Sequence, residues 1–329
     1  MRNLVIVFIF WLASAAMAVA QCTGQDLRAT LTPAERADVK SRLVNTPYPV
    51  GNHWTARKGG QTIHLVGTVH MSDPRLDAVM KRLRPVLKQA DLLLVEATRA
   101  DKKKLETAML ETPERILLPD GASLPELLSD AEWKTIKKAA RSRGVPPFLV
   151  SKFQPWYVSV VLAMPACLIE VQRSGAKGFD VRLMDAADEL SIPQAALEPW
   201  DTMFSLFERD PIEKQLEMLK LGVLPNDVAQ DSMATLLDAY FEERPAEIIE
   251  FNRVLAHRHT NLPKDQVDAM VDSMNDLLLR DRNLNWIPVI ENAPNGVTVV
   301  AAGAGHLVGT HGLLNLLRQN GYKLTREAF

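Results

Sequence analysis

Two short segments of this chain carry residues that could do chemistry together, Gly67-Thr68-Val69-His70 and Gly303-Ala304-Gly305-His306. Each is a G-x-x-H turn. Each follows an apolar run with strand character: Thr62-Ile63-His64-Leu65-Val66 before the first, Val297-Thr298-Val299-Val300-Ala301-Ala302 before the second. Each precedes a helix pattern, from about Asp73 and about Thr310. A strand that ends in a Gly turn and presents one His suits a site at the carboxyl end of a sheet. Two such units point to two matching half-folds facing one shared site.

A third group fits beside them. Leu92 to Glu96 is a buried-strand pattern closed by an acid. His70, His306 and Glu96 would supply two nitrogens and a carboxylate, enough for a catalytic metal with one position left for water. Such a set suits Zn²⁺, Mn²⁺ or Fe²⁺; the ion would lower the pKa of its bound water and polarise a carbonyl. The plainer reading is a pair of loop histidines and a solvated strand end. The other histidines have structural readings. His64 lies within a strand, His311 at a helix start, and His257 and His259 near a helix end where cations favour the dipole. Arg282 and Asn283, in Arg280-Asp281-Arg282-Asn283, either belong to a solvated face or bind a carboxylate and stabilise an oxyanion. Asp180 reads as a helix cap. Leu197-Glu198 mirrors Val95-Glu96. No HExxH and no Cys-rich zinc pattern occurs.

The elements that must position these groups are legible in outline. Thr32-Pro33-Ala34-Glu35 is a capping box that opens a helix to about Val44. Trp54–Lys58 and Thr62–Val66 flank Gly59-Gly60 as a hairpin. Arg75–Gln89 is amphipathic, with Leu76, Val79, Met80, Leu83 and Leu87 on one face. Strand, helix and strand across residues 62–96 form a βαβ unit. The middle is mostly helical, with breaks at Pro146-Pro147, Pro165, Pro211, Pro225, Pro245 and Pro263. Gln194–Leu197 is a short strand, and Tyr322–Thr325 closes the sheet. The expected fold is α/β: a central mixed sheet built from two strand–GxxH–helix units. Its core spans about 54–100 and 294–329, with a large helical insertion over about 101–293.

Composition narrows the class. Residues 1–20 combine Arg2, an apolar run from Leu4 to Ala13 and Ala18-Val19-Ala20 before Gln21. This is a secretory signal pattern, so a single domain over 21–329 in the periplasm or secreted is expected. The apolar run is shorter than the roughly 20 residues of a membrane span, so no stable span is expected after signal removal. The formal net charge is −2, and −3 without Arg2; no basic tract argues for nucleic acid. The two cysteines, Cys22 and Cys167, suit a disulfide in an oxidising compartment.

The ordered set resembles the TraB/GumN family of the wider Tiki superfamily. It comprises both G-x-x-H turns, Leu93-Leu94-Val95-Glu96, Gly178-x-Asp180, Leu197-Glu198, Arg282-Asn283 and the ending Gly305-His306-Leu307-x-Gly309-x-x-Gly312-Leu313 through Gly321-Tyr322. The resemblance covers about Trp54 to Leu324. It implies a metal-dependent protease that uses manganese or cobalt, zinc being a further candidate from the ligand types. His70, Glu96 and His306 would form the active site, with Arg282 and Asn283 beside them and a peptide or protein as substrate. Erythromycin esterases, distant relatives with a similar His/Glu/His set, are thought to activate water with a His and no metal. The chain departs from the pattern at Glu96-Ala97-Thr98, where some relatives carry a further acid.

Three functions follow as expectations. The first is an exported metal-dependent hydrolase, a Tiki-like peptidase. The second is a metal-free esterase-like hydrolase with His70 as general base. The third is a non-catalytic envelope protein that binds a metal or haem.

Overall fold

The computed structural model describes residues 24–260 and 262–329. Six strands form one mixed sheet: β1 (His53–Lys58), β2 (Gln61–Thr68), β3 (Leu92–Val95), β4 (Gln194–Ala196), β5 (Gly296–Gly303) and β6 (Lys323–Arg326). Their spatial order is β4-β3-β5-β2-β1-β6. β2, β5, β3 and β4 are parallel; β1 runs antiparallel to both β2 and β6. The chain is therefore α/β with a mixed sheet, as its pattern of apolar runs implies. The signal pattern at residues 1–20 lies outside the described residues. So does Cys22, and with it the expected pairing with Cys167, which is buried in the helix Ala166–Arg173.

Alternation along the strands builds two cores. Val66, Leu93, Val95, Val299 and Ala301 face one side of the sheet. There the helix Leu76–Leu87 packs with Leu76, Val79, Leu83 and Leu87 buried, and the helix Phe179–Glu189 packs beside it. Ile63, Leu65, Leu94, Val300 and Ala302 face the other side. The helices Asp281–Glu291 and Leu313–Gln319 cover that face through Trp286, Ile290, Leu313, Leu314 and Leu317. One-residue shifts would invert both faces, so the two-sided burial fixes the register. A third apolar cluster, around Leu124, Ile136, Val158 and Leu219, holds middle-segment helices together away from the sheet. The middle segment also feeds the sheet itself, through β4 and two of the flanking helices.

The two G-x-x-H units sit side by side. β2 and β5 pair in register, Gly67 opposite Ala302 and Thr68 opposite Gly303. A side chain at Gly67 would stand 3.0 Å from the Ala304 Cα, tighter than nearly all real contacts, so the absence of one lets the two turns lie close together. Tyr240, from the helix Asn226–Phe241, donates its hydroxyl to the Gly67 carbonyl at 2.8 Å. This tie holds the first turn against the middle segment.

His53 and His64 form a structural pair across the β1–β2 hairpin. His53 Nδ1 lies 3.0 Å from the Ala328 carbonyl and must donate to it, which leaves His53 Nε2 to accept from His64 Nδ1 at 3.1 Å. Burial, the largest cause, lowers the pKa of both, that of His64 to about 4. A His with a depressed folded pKa is stabilising while neutral, above the ordinary value near 6.5, and that stability is lost as pH falls toward the folded pKa. Melting curves should therefore fall between about pH 6.5 and pH 4. His64→Gln should flatten that slope; an unchanged slope would contradict the assignment.

Candidate active site

Each parallel strand delivers one ionisable group just past its carboxyl end. β2 leads to His70, β3 to Glu96, β4 to Glu198 and β5 to His306. This is the edge at which open α/β sheets place their sites. A cavity of about 560 Å³ opens there, lined by Thr68, His70, Glu96, Lys102, Asp180, Glu198 and Arg282 among others.

Arg282 organises the polar part. It lies in the first turn of the helix Asp281–Glu291, directly after a π-helical turn at Asp276–Arg280. Such turns recur at functional sites because they redirect a helix face. Its Nε donates to Glu198 Oε2 at 2.9 Å. Its Nη2 donates to Glu198 Oε1 at 2.6 Å and to Glu96 Oε2 at 2.7 Å. Its Nη1 donates to the Leu278 carbonyl and to His306 Nε2, both at 3.3 Å. A guanidinium has five N–H donors, and all five are engaged. The indole of Trp286 lies under the guanidinium at 4.7 Å and donates from Nε1 to Glu198 Oε2 at 3.0 Å.

Asn283 determines the state of His306. Its Nδ2 donates to the carbonyls of His306 and His311 at 3.1 and 2.8 Å. Its Oδ1 is thereby turned toward His306 Nδ1, 2.7 Å away, so Nδ1 carries the proton. His306 Nε2 is left with a lone pair, which accepts from Arg282. Burial lowers the His306 pKa to about 4, with Glu96 opposing and Arg282 and His70 assisting. The ring is neutral at pH 7 and lies 4.3 Å from the Trp286 indole, tilted by 32° to it.

Glu96 is ionised. Burial would raise its pKa, but His306, Arg282, His70 and the Gly303 N–H outweigh burial and bring it to about 2. The Gly303 amide donates to Oε1 at 2.7 Å. A side chain at Gly303 would stand 3.3 Å from that oxygen, tighter than most contacts, and in ordinary contact with the His306 ring at 3.5 Å. After Glu96, the capping box of Thr98 and Asp101 starts the helix Arg99–Glu111. That helix brings Lys102 to the cavity.

His70 is the open member. Its side chain is 66% exposed, against 4% for the whole of His306. Its Nδ1 stands 3.5 Å from Asp180 Oδ1. Asp180, first among the causes, raises the His70 pKa; burial opposes, and Glu96 adds to the rise. Burial acts against Asp180's charge, but His70 and Lys102 hold its carboxyl well below the usual range. Lys102 Nζ reaches Asp180 Oδ2 at 3.1 Å. Asp180 does not cap its helix as its position suggests: Gly178 is the N-cap, without a side-chain bond. Gly178 is needed there because a Cβ would collide with the His70 carbonyl at 2.5 Å. The sequence pattern missed the roles of Asp180, Glu198 and Lys102. The Leu197-Glu198 echo of Val95-Glu96 was the signal for Glu198.

The residues expected to share a metal come together only in part. Glu96 and His306 have the right protonation states for ligation, but the Arg282 guanidinium bonds to both, at the point where an ion would sit. Among the described residues no three His, Cys, Asp or Glu side chains converge on one point. In this arrangement the donor set does not fit an ion. Arg282 and Asn283 have every side-chain N–H engaged within the fold, with none left for a substrate carbonyl.

Removing Arg282 would leave two largely buried carboxylates without a cation. Arg282→Met should destabilise the fold by about 3–5 kcal/mol. Arg282→Lys should recover little, since three donors on a flexible stem cannot match the fork. Asn283→Ala should cost about 1–3 kcal/mol through unpaired buried groups. Urea unfolding checks all three; a full rescue by lysine would contradict the five-donor account.

Comparison with known proteins bears on the family alone. The chain matches the TraB/PrgY/gumN family over residues 52–326. The uncharacterized protein YbaP of Escherichia coli (strain K12) is 26% identical over 277 residues, covering 82% of this chain and 94% of the relative. YbaP of Shigella flexneri gives the same identity and coverage. The matched region holds both G-x-x-H turns, all six strands and every group of the site, and the chain belongs to the TraB/PrgY/gumN family.

Proposed function

We propose that the chain is a hydrolase that cleaves a carbonyl ester or amide, with His70 as general base and Asp180 as the group that orients it. The observation that carries this reading is the open His70–Asp180 pair beside a cavity whose other His is buried, neutral and bonded to arginine. With the Nδ1 proton directed at Asp180, the Nε2 of neutral His70 takes a proton from water. The hydroxide attacks the carbonyl, and the imidazolium, stabilised by Asp180, returns the proton to the leaving group. Glu96, held ionised, has lone pairs free to position that water. Of the three expected functions this is the metal-free one. The signal pattern at residues 1–20 supports a periplasmic or secreted setting, and no helix among the described residues is long and apolar enough to cross a membrane.

One observation favours a second, metal-dependent reading: His306 Nε2 is unprotonated and Glu96 is charged, the states that ligation requires. It needs Arg282 to leave both groups. A peptide substrate would fit either reading.

The test is turnover of a panel of chromogenic esters and peptides. His70→Gln should lower kcat by about 10²–10⁴-fold. Activity should persist in EDTA; loss with chelator and recovery with Mn²⁺ would transfer the reaction to the metal-dependent reading. Asp180 raises the His70 pKa, so the base is neutral only above a value higher than 6.5, and kcat/KM should climb with pH through that value. Asp180→Asn should move the climb to lower pH. A profile unmoved by Asp180→Asn would remove His70–Asp180 as the acting pair.

A further inference from the structure

The hydrolase reading leaves the developing oxyanion without an assigned donor, and this inference rests on that reading. The side-chain donors that line the cavity are Thr68, His70, Lys102, Lys177 and Arg282. Arg282 has no free N–H. Lys177 is paired with Asp185 at 2.7 Å, and Lys102 with Asp180 at 3.1 Å. His70 is engaged in proton transfer. Thr68 remains. Its Oγ1 is buried and has no hydrogen-bond partner among the described residues, and the residue is only 3% exposed.

An unpaired buried hydroxyl is a cost that folds avoid unless a ligand completes it. Position explains the exception. Thr68 ends β2 two residues before His70 and faces Gly303 across the β2–β5 pair. It shares its sheet face with Val66, while Val95 and Ala301 line the same cavity.

We propose that Thr68 Oγ1 donates a hydrogen bond to the carbonyl oxygen of the bound substrate as that oxygen gains charge. The G-x-x-H turn then carries two functional groups, a donor at its second position and a base at its fourth. Thr68 is the last residue of β2 and His70 follows two residues on, so both groups stand at the same end of the sheet.

Thr68→Val keeps the shape and removes the hydroxyl, and Thr68→Ser keeps the hydroxyl. On the ester or peptide that the wild-type chain turns over best, Thr68→Val should lower kcat by about 10–10³-fold with KM little changed. Thr68→Ser should retain most of the rate. Because the hydroxyl has no partner within the fold, Thr68→Val should melt at or above the wild-type temperature. A lower melting temperature would show that the hydroxyl is satisfied inside the fold and would overturn the proposal, as would an unchanged kcat. A wild-type chain inert on the whole panel would reject the hydrolase reading instead, and the melting comparison would still decide whether Thr68 is unpartnered.

Discussion

The site depends on one guanidinium whose donors are all engaged. Arg282 joins the ends of β3, β4 and β5 by binding Glu96, Glu198 and His306 at once. Two carboxylates and an imidazole could not be buried side by side at a sheet edge without a cation among them. A planar fork with five fixed donors satisfies that geometry; an ammonium does not. The π-helical turn before Arg282 and the indole of Trp286 beneath it keep the fork in place.

From that constraint the two motif histidines acquire different chemistry. His306 is buried, oriented by Asn283 and neutral. His70, from the neighbouring strand, is exposed beside Asp180 and more basic than usual. Similar local sequence thus yields a buried, neutral acceptor in one unit and an exposed imidazole beside Asp180 in the other. The difference lies in what the middle segment places against each turn. The helix Phe179–Glu189 brings Asp180 to His70, and the helix Asp281–Glu291 brings Arg282 and Asn283 to His306. The two units sit on neighbouring parallel strands, but their histidines stand in unlike surroundings.

The strands, and the residues that close them, were legible in the sequence because burial on two faces imposes a period that local pattern records. Glu96, His70 and His306 could be placed at one sheet edge on that basis, and the Glu198 echo was visible. Which of these groups would be saturated could not be read, because saturation is decided by partners far away in the chain. Arg282 meets Glu96 across 186 positions. Asp180 looked like a helix cap since its local context suits one; only the packing of its helix under the His70 loop turns the carboxylate to the imidazole. Thr68 carries no signal at all in sequence, because an unpaired hydroxyl is a property of its surroundings. The family resemblance was specific for the site's membership and silent on these pairings.

The central claim is that Arg282, not an ion, holds Glu96 and His306. A crystal structure of the full chain grown at neutral pH with excess Mn²⁺ tests it most directly. The account predicts the guanidinium within hydrogen-bond distance of Glu96, Glu198 and His306 Nε2, with no anomalous peak among them. A manganese ion bound by Glu96 and His306, with Arg282 swung away, would contradict it.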